Sequence, residues 1–80
     1  MKVQVNIMLK DSVLDPQGEA VKHALGALGY ESVKSVRQGK IIEIDLNEND
    51  SIVAEAKVCE MCEKLLANSI IEKYSVEILK

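Results

Sequence analysis

Two cysteines three residues apart are the side chains whose type and spacing are most typical of chemistry. Cys59 and Cys62 form a C-x-x-C pattern, which occurs in thiol redox sites and in metal sites. A reactive pair usually lies at the first turn of a helix, where the helix dipole stabilises a thiolate. Here the pair begins about two turns into a predicted helix, with Cys62 on its apolar side. We therefore interpret both cysteines as unreactive packing thiols and keep a thiol or metal carrier as an alternative.

A single histidine limits the acid–base chemistry that the chain could perform. His23 is the only histidine, so proton transfer would have to centre on it or on a pair of carboxylates. The four glycines are scattered along the chain, unlike the clustered glycines of a phosphate-binding loop. We interpret His23 as a solvent-facing helix residue and expect no catalytic, cofactor-binding or metal-binding residue in this chain.

A basic pair beside a glycine is the strongest candidate for an interaction site. Arg37 and Lys40 flank Gly39, and a guanidinium and an ammonium there could receive a phosphate or a partner's carboxylate. The alternative is that both are solvated charges that protect a strand edge from aggregation. We predict that Arg37, Gly39 and Lys40 form a partner interface, so the residues alone indicate a non-catalytic interaction module.

Length and composition exclude several classes of protein. Eighty residues with 48% hydrophobic and 29% charged content predict one domain, residues 1–80, rather than a multi-domain enzyme. A net charge of -3 with only two aromatic residues argues against nucleic-acid binding. No apolar run approaches the roughly 20 residues that span a bilayer, and two closely spaced cysteines cannot bridge distant segments. We therefore expect a cytoplasmic protein without a membrane partner.

The first half of the chain predicts a strand followed by a helix. Residues 2–9 alternate between apolar and polar side chains, which is typical of a half-buried strand. Asp15 and Pro16 then provide a helix cap and a favourable first helical residue, and Gly29 ends the helix. The helix carries an apolar stripe that is expected to pack on the sheet, formed by Val21, Ala24, Leu25 and Leu28.

The second half predicts a strand, a helix and a final strand. Residues 33–46 are strand-like with an interruption at Gly39, which indicates either a bulge in a long bent strand or a hairpin turn. We favour the bent strand. A second amphipathic helix follows Ser51 and has an apolar face formed by Ala54, Val58, Met61, Cys62 and Leu65. Residues 74–79 alternate again and predict the last strand.

The order of these elements predicts an α+β domain. It is a two-layer β-α-β-α-β sandwich with an antiparallel sheet, two helices on one face and a long bent middle strand or a hairpin at Gly39, related to ferredoxin-like folds. The sheet edges are expected to be exposed, and the core is so small that its burial only narrowly exceeds the cost in conformational entropy. Both features favour oligomerisation.

Four short clusters together resemble one protein family. They are VLDPQG at residues 13–18, VRQGK at 36–40, EMCEKLLAN at 60–68 and IEKY at 71–74. In this order and spacing they resemble the PurS subunit of phosphoribosylformylglycinamidine (FGAM) synthase over essentially the whole chain. The resemblance agrees with the α+β fold, and it places Cys62 in the family's second helix.

The resemblance implies a role in an enzyme complex of purine biosynthesis. Such a complex is a ligase that uses ATP and glutamine to convert phosphoribosylformylglycinamide to the amidine. Its active sites are implied to lie in the large synthetase subunit, which binds ATP and Mg, and in the glutaminase subunit. The small subunit is implied to be a homodimeric, non-catalytic accessory that bridges the other two and supports ammonia transfer. A small-molecule sensor of ferredoxin-like shape and the thiol or metal carrier are the alternative functions.

Overall fold

The first strand begins the sheet as its alternating residues predict. A computed structural model describes residues 1–79, and β1 spans Lys2–Leu9. Val3, Val5 and Ile7 point to one face and are fully buried, whereas the residues between them are partly exposed. This period of two confirms a strand with one face in the core.

Three antiparallel strands form the sheet, in the order β2-β1-β3. β2 spans Gly39–Asp45 and β3 spans Glu72–Ile78. Val5 lies opposite Ile42 on one side and Val76 on the other, so the apolar residues of all three strands share one face. The predicted fold class is therefore confirmed, with β1 at the centre of the sheet.

The middle strand of the sequence is shorter than its pattern predicted. Residues 33–38 form no strand, and β2 begins only at Gly39. Neither the long bent strand nor a hairpin with a fourth strand is therefore formed within residues 1–79. The reason is that β1 ends at Leu9, and its register with β2 runs out at the Met8–Gly39 pair. A strand-like segment without a neighbour cannot form a ladder.

The first helix, α1, spans Pro16–Ala27 and has a complete set of end signals. Leu28 is the C-cap, and Gly29 adopts the left-handed φ of 100° that favours glycine. The Tyr30 amide donates to the Leu25 carbonyl and the Gly29 amide to the Gly26 carbonyl, both at 3.0 Å. These are the two bonds of a Schellman motif, and they confirm the predicted end of the helix.

The second helix, α2, spans Ser51–Met61 and continues as a π-helix over Cys62–Leu66. The Asp50 carboxylate caps α2 by accepting a hydrogen bond of 2.9 Å from the Ile52 amide. Leu65 was predicted on the apolar face, and that was wrong, because it is 84% exposed. The i→i+5 bond from the Ala67 amide to the Cys62 carbonyl adds a residue to the turn, so Leu66 takes the inward position instead.

The core lies between α2 and the sheet. α2 packs on β1 and β3, and its buried residues contact the inward side chains of β1. The fully or nearly fully buried apolar residues of this cluster are Val3, Val5, Ile7, Val58, Cys62 and Ala67. They are all aliphatic or sulfur-containing, as a chain with two aromatic residues requires.

The two helices occupy different positions, although the pattern predicted both on the sheet. α1 makes no extensive contact with another element of residues 1–79, and the chain is elongated, with extents of 48 × 26 × 14 Å. Its radius of gyration is 15.9 Å, against about 12 Å for a compact domain of this length. The expectation that the stripe of α1 packs on the sheet of its own chain is therefore wrong.

Neither of the helices described in residues 1–79 combines the length and the apolar character of a membrane span.

Candidate partner interface

Arg37 is engaged by its own chain. Its Nη2 donates to the Lys10 carbonyl at 2.8 Å and to the Leu9 carbonyl at 3.4 Å. The Leu9 carbonyl belongs to the last residue of β1 and the Lys10 carbonyl to the residue after it, where pairing of β1 with β2 has ended. Arg37 therefore ties the segment before β2 to the end of β1, a contact that the sequence pattern did not reveal.

Gly39 is required by a close approach of the backbone. It is the first residue of β2 and lies opposite Met8. A Cβ at this position would overlap the Met8 sulfur and lie 2.5 Å from the Ile7 carbonyl oxygen. The irregularity predicted at Gly39 is thus the start of the strand rather than a bulge inside it.

Lys40 is the member of the predicted trio whose charge faces outward. It is exposed, and it forms no ion pair within residues 1–79. It borders a shallow depression of about 260 Å³, whose polar lining residues are Asp15, Gln17, Gln38, Lys40 and Glu72. Arg37, Gly39 and Lys40 are all exposed, and the Arg37 guanidinium, unlike the Lys40 ammonium, already uses one nitrogen for hydrogen bonds within its own chain.

Asp15 has a second function that sequence reasoning missed. The pattern identified it as a helix cap, and its Oδ1 indeed accepts a hydrogen bond of 2.9 Å from the Gly18 amide. Its Oδ2 also accepts one of 2.7 Å from the Gln38 amide. These bonds, that from Gln38 first, hold the pKa of the Asp15 carboxyl below its usual value. The only signal in the sequence was that Asp15 precedes a proline, which says nothing about Gln38.

The C-x-x-C pair lies in the packed part of the molecule. Cys62 is buried in the core and Cys59 is half-buried, and both are free thiols. Burial, followed by the neighbouring Cys59 and Glu63, raises the pKa of the Cys62 thiol, which makes it a poorer nucleophile at neutral pH. In residues 1–79, no three His, Cys, Asp or Glu side chains are grouped to hold a metal ion. The packing interpretation of Cys62 is confirmed.

His23 lies on the surface of α1, as predicted. It is exposed and borders an open depression between α1 and the segment that follows it, together with Glu19, Lys22 and Tyr30.

The apolar side of α1 is exposed. The α1 stripe consists of Val21, Ala24, Leu25 and Leu28. Val21 is 41% exposed and Leu28 is 73% exposed, and the nearby Leu14 and Tyr30 are exposed as well. A helix that leaves its apolar stripe in water lacks the burial that normally stabilises it.

A family model matches this chain over residues 2–80, and the family is PurS, phosphoribosylformylglycinamidine (FGAM) synthase. The chain belongs to the PurS family. The phosphoribosylformylglycinamidine synthase subunit PurS of Bacillus subtilis (strain 168) is 51% identical over 77 residues, which cover 96% of this chain and 90% of that protein. The match extends through the clusters that carried the resemblance, so the resemblance is confirmed.

Two solved PurS structures are similar to the structure of this chain. PurS of Methanocaldococcus jannaschii, described as one of the subunits of formylglycinamide ribonucleotide amidotransferase in the purine biosynthetic pathway, has a TM-score of 0.87 and 41% identity. The match covers 95% of this chain and 92% of that chain. A chain of the PurLQS structure from Thermotoga maritima has a TM-score of 0.86 and 30% identity, with coverages of 95% and 93%.

Membership in the PurS family assigns the class of function. PurS proteins are small subunits of FGAM synthase, a ligase of purine biosynthesis. Neither the fold nor the relatives support the two alternatives, the small-molecule sensor and the thiol or metal carrier.

Proposed function

We propose that this chain is the small accessory subunit of an FGAM synthase, that it bridges the synthetase and glutaminase subunits, and that it contributes no catalytic residue. The observation that carries the proposal is the full-length match to PurS proteins, one of which comes from a PurLQS structure. ATP and Mg would be bound by the synthetase subunit. The contribution of this chain would be assembly of the complex and support of ammonia transfer from the glutaminase to the synthetase.

Reconstitution of the complex tests this proposal. The synthetase and glutaminase subunits are assayed for conversion of the substrate with glutamine, with and without this chain. Ammonium chloride in place of glutamine serves as the control. We expect the glutamine-dependent rate to require the chain, while the ammonia-dependent rate is less affected. Equal glutamine-dependent rates with and without the chain would refute the accessory role.

The homodimer implied by the resemblance is the second part of the proposal, and the exposed area supports it. The chain exposes 5848 Å², whereas a monomer of its 8.8 kDa mass exposes about 4,800 Å². The difference of roughly 1,000 Å² is close to the area that each partner buries in a standard interface. The exposed α1 stripe is an apolar surface that a second copy could cover.

A pair of exposed apolar residues tests where the second copy binds. Leu28 on α1 is 73% exposed, and Ile52 on α2 is 79% exposed. We expect Leu28→Asp to dissociate the homodimer and Ile52→Asp to leave it intact, because α1, unlike α2, has no extensive contact with another helix or strand of residues 1–79. Sedimentation velocity measures the oligomeric state. A dimer that survives Leu28→Asp unchanged would remove the α1 stripe from the interface.

We further propose that Arg37, Gly39 and Lys40 form an interface with one of the larger subunits. Arg37 and Gly39 would set the shape of the segment, through the bonds to Leu9 and Lys10 and the approach to Met8. Lys40 would provide the charge that attracts a carboxylate or phosphate group.

Charge reversal at two lysines distinguishes a local contact at Lys40 from a general effect of the net charge. Lys40→Glu is compared with Lys34→Glu, which changes the charge equally at another exposed position of the same region. We expect only Lys40→Glu to lower glutamine-dependent turnover and assembly. Identical behaviour of the two variants would place the interface elsewhere.

A cytoplasmic location completes the proposal. Both cysteines are free thiols, which fits a reducing compartment, and purine biosynthesis requires the cellular nucleotide pool. A fluorescently tagged chain that co-localises with a secreted marker would contradict it.

A further inference from the structure

The first turn of α1 lies close to the segment that leads into β2. The helix has no extensive contact with another helix or strand of residues 1–79, and residues 30–33 border its later turns across an open depression. At the start of the helix, Gly18 lies so close to the backbone of this segment that a Cβ would overlap the Val36 carbonyl oxygen. This junction therefore couples the direction of α1 to the segment before β2.

Asp15 is the side chain that joins the two sides of the junction. Oδ1 bonds to the Gly18 amide inside α1, and Oδ2 bonds to the Gln38 amide, 23 residues away and directly before β2. The residue is 4% exposed, so water competes weakly for either bond. A carboxylate that accepts two backbone bonds, one on each side, restricts rotation between the helix and the strand.

The length of the helix amplifies any change at its base. Twelve residues rise about 18 Å, so a tilt of roughly 20° at Asp15 would displace the end of the helix by about 6 Å. Leu28, the most exposed member of the α1 stripe, lies at that end. A displacement of this size exceeds what a packed interface tolerates.

We propose that Asp15 is a positioning residue that fixes the direction of α1 relative to the sheet and thereby presents the α1 stripe to a second copy of the chain. The junction at Asp15 by itself carries the proposal that the direction of α1 is fixed. The proposal that the α1 stripe is thereby presented to a second copy rests on the homodimer proposed above.

The second helix provides a matched control. Asp50 caps α2 through one bond of 2.9 Å from the Ile52 amide, two residues on, and Asp15 caps α1 through a bond of equal length from the Gly18 amide, three residues on. Within residues 1–79, no second segment donates to Asp50. Burial of Ala54, Val58 and Cys62 against the sheet fixes the direction of α2 instead. Serine retains helix capping at either position, but its shorter side chain cannot also reach Gln38 from position 15.

A distance measurement tests the direction of α1. Nitroxide labels are placed at Ala27→Cys and Glu77→Cys in a chain that carries Cys59→Ser, Cys62→Ala and Leu28→Asp, so that a second copy does not hold the helix. Pulsed electron paramagnetic resonance with excess unlabelled chain measures the distribution within one chain. We expect Asp15→Ser to broaden or shift the distribution and Asp50→Ser to leave it unchanged. An unchanged distribution for Asp15→Ser would overturn the proposal.

A second measurement tests the presentation of the stripe. With Leu28 and both cysteines intact, we expect Asp15→Ser to raise the dimer dissociation constant about tenfold, the effect of one charge-assisted hydrogen bond. Asp50→Ser should change it less than about twofold. Equal constants for Asp15→Ser and the parent dimer would overturn the presentation step. A parent chain that is monomeric would instead refute the homodimer, and the distance measurement would still decide the direction of α1.

Discussion

The two helices of this chain are built from similar signals and meet different surroundings. Each begins after an aspartate cap and carries an apolar stripe. The stripe of α2, apart from Leu65, packs on β1 and β3, whereas that of α1 is exposed in the single chain. An amphipathic pattern therefore predicts that one face of a helix is buried. It does not specify whether the surface that covers this face belongs to the same chain.

Two valines at corresponding apolar positions give the largest expected difference between the helices. Val58 on α2 is fully buried and Val21 on α1 is 41% exposed. We expect Val58→Asp to destabilise the chain by about 3–5 kcal/mol, because it buries an unpaired charge, and so to unfold most of it. Val21→Asp should change the folding of a single chain by less than about 0.5 kcal/mol. Urea unfolding followed by circular dichroism measures both, and similar losses would show that α1 is packed on its own sheet.

Two glycines within α1 differ in the space that a side chain would have. Gly18 has no space for a Cβ, because the Val36 carbonyl and the Asp15 carboxylate occupy it, whereas nothing lies within 4 Å of a Cβ at Gly26. We expect Gly18→Ala to cost about 1–3 kcal/mol. Gly26→Ala should add about 0.5–1 kcal/mol through helix propensity. If Gly26→Ala instead weakened self-association without lowering helicity, the second copy would lie against that residue.

Acidification tests the anchor of α1. Hydrogen bonds from the Gln38 and Gly18 amides lower the pKa of Asp15 from 3.8. Because the folded pKa is below the unfolded one, this stabilisation is complete above pH 3.8 and is lost as the pH falls through the folded value. We expect the difference in urea midpoint between the parent and Asp15→Asn to be largest at neutral pH and to shrink in acid. A difference that does not depend on pH would exclude the carboxylate's charge as its cause.

The outer face of α2 gives the smallest expected effect. Lys64 Nζ lies 2.6 Å from Glu60 Oε1, and both side chains are largely exposed. A double-mutant cycle with Glu60→Ala and Lys64→Ala should give a coupling of about 0.3–0.5 kcal/mol, decreasing with added salt. A coupling above about 1 kcal/mol would mean that the pair is shielded from solvent, as it would be beneath a partner.

Local signals predicted most of the elements because they act within a few residues. The alternation of residues 2–9, the cap at Asp15 and the end at Gly29 all depend on neighbours in sequence. Leu65 failed because the i→i+5 turn at Cys62–Leu66 changes the helical phase. Residues 33–38 failed because strand propensity requires an adjacent strand, and β1 has ended before them.

The candidate site divides in the same way. Residue types and spacing indicated the PurS family and the β-α-β-α-β order of an α+β fold, whereas the choice between three and four strands stayed open. The interface at Arg37, Gly39 and Lys40 stays a prediction. Only the tertiary structure decided that Arg37 bonds to the end of β1, that Asp15 bonds to Gln38, and that α1 extends away from the sheet. These contacts join groups that are far apart in sequence. Local residue patterns do not specify which distant groups come together, because that depends on how the whole chain packs.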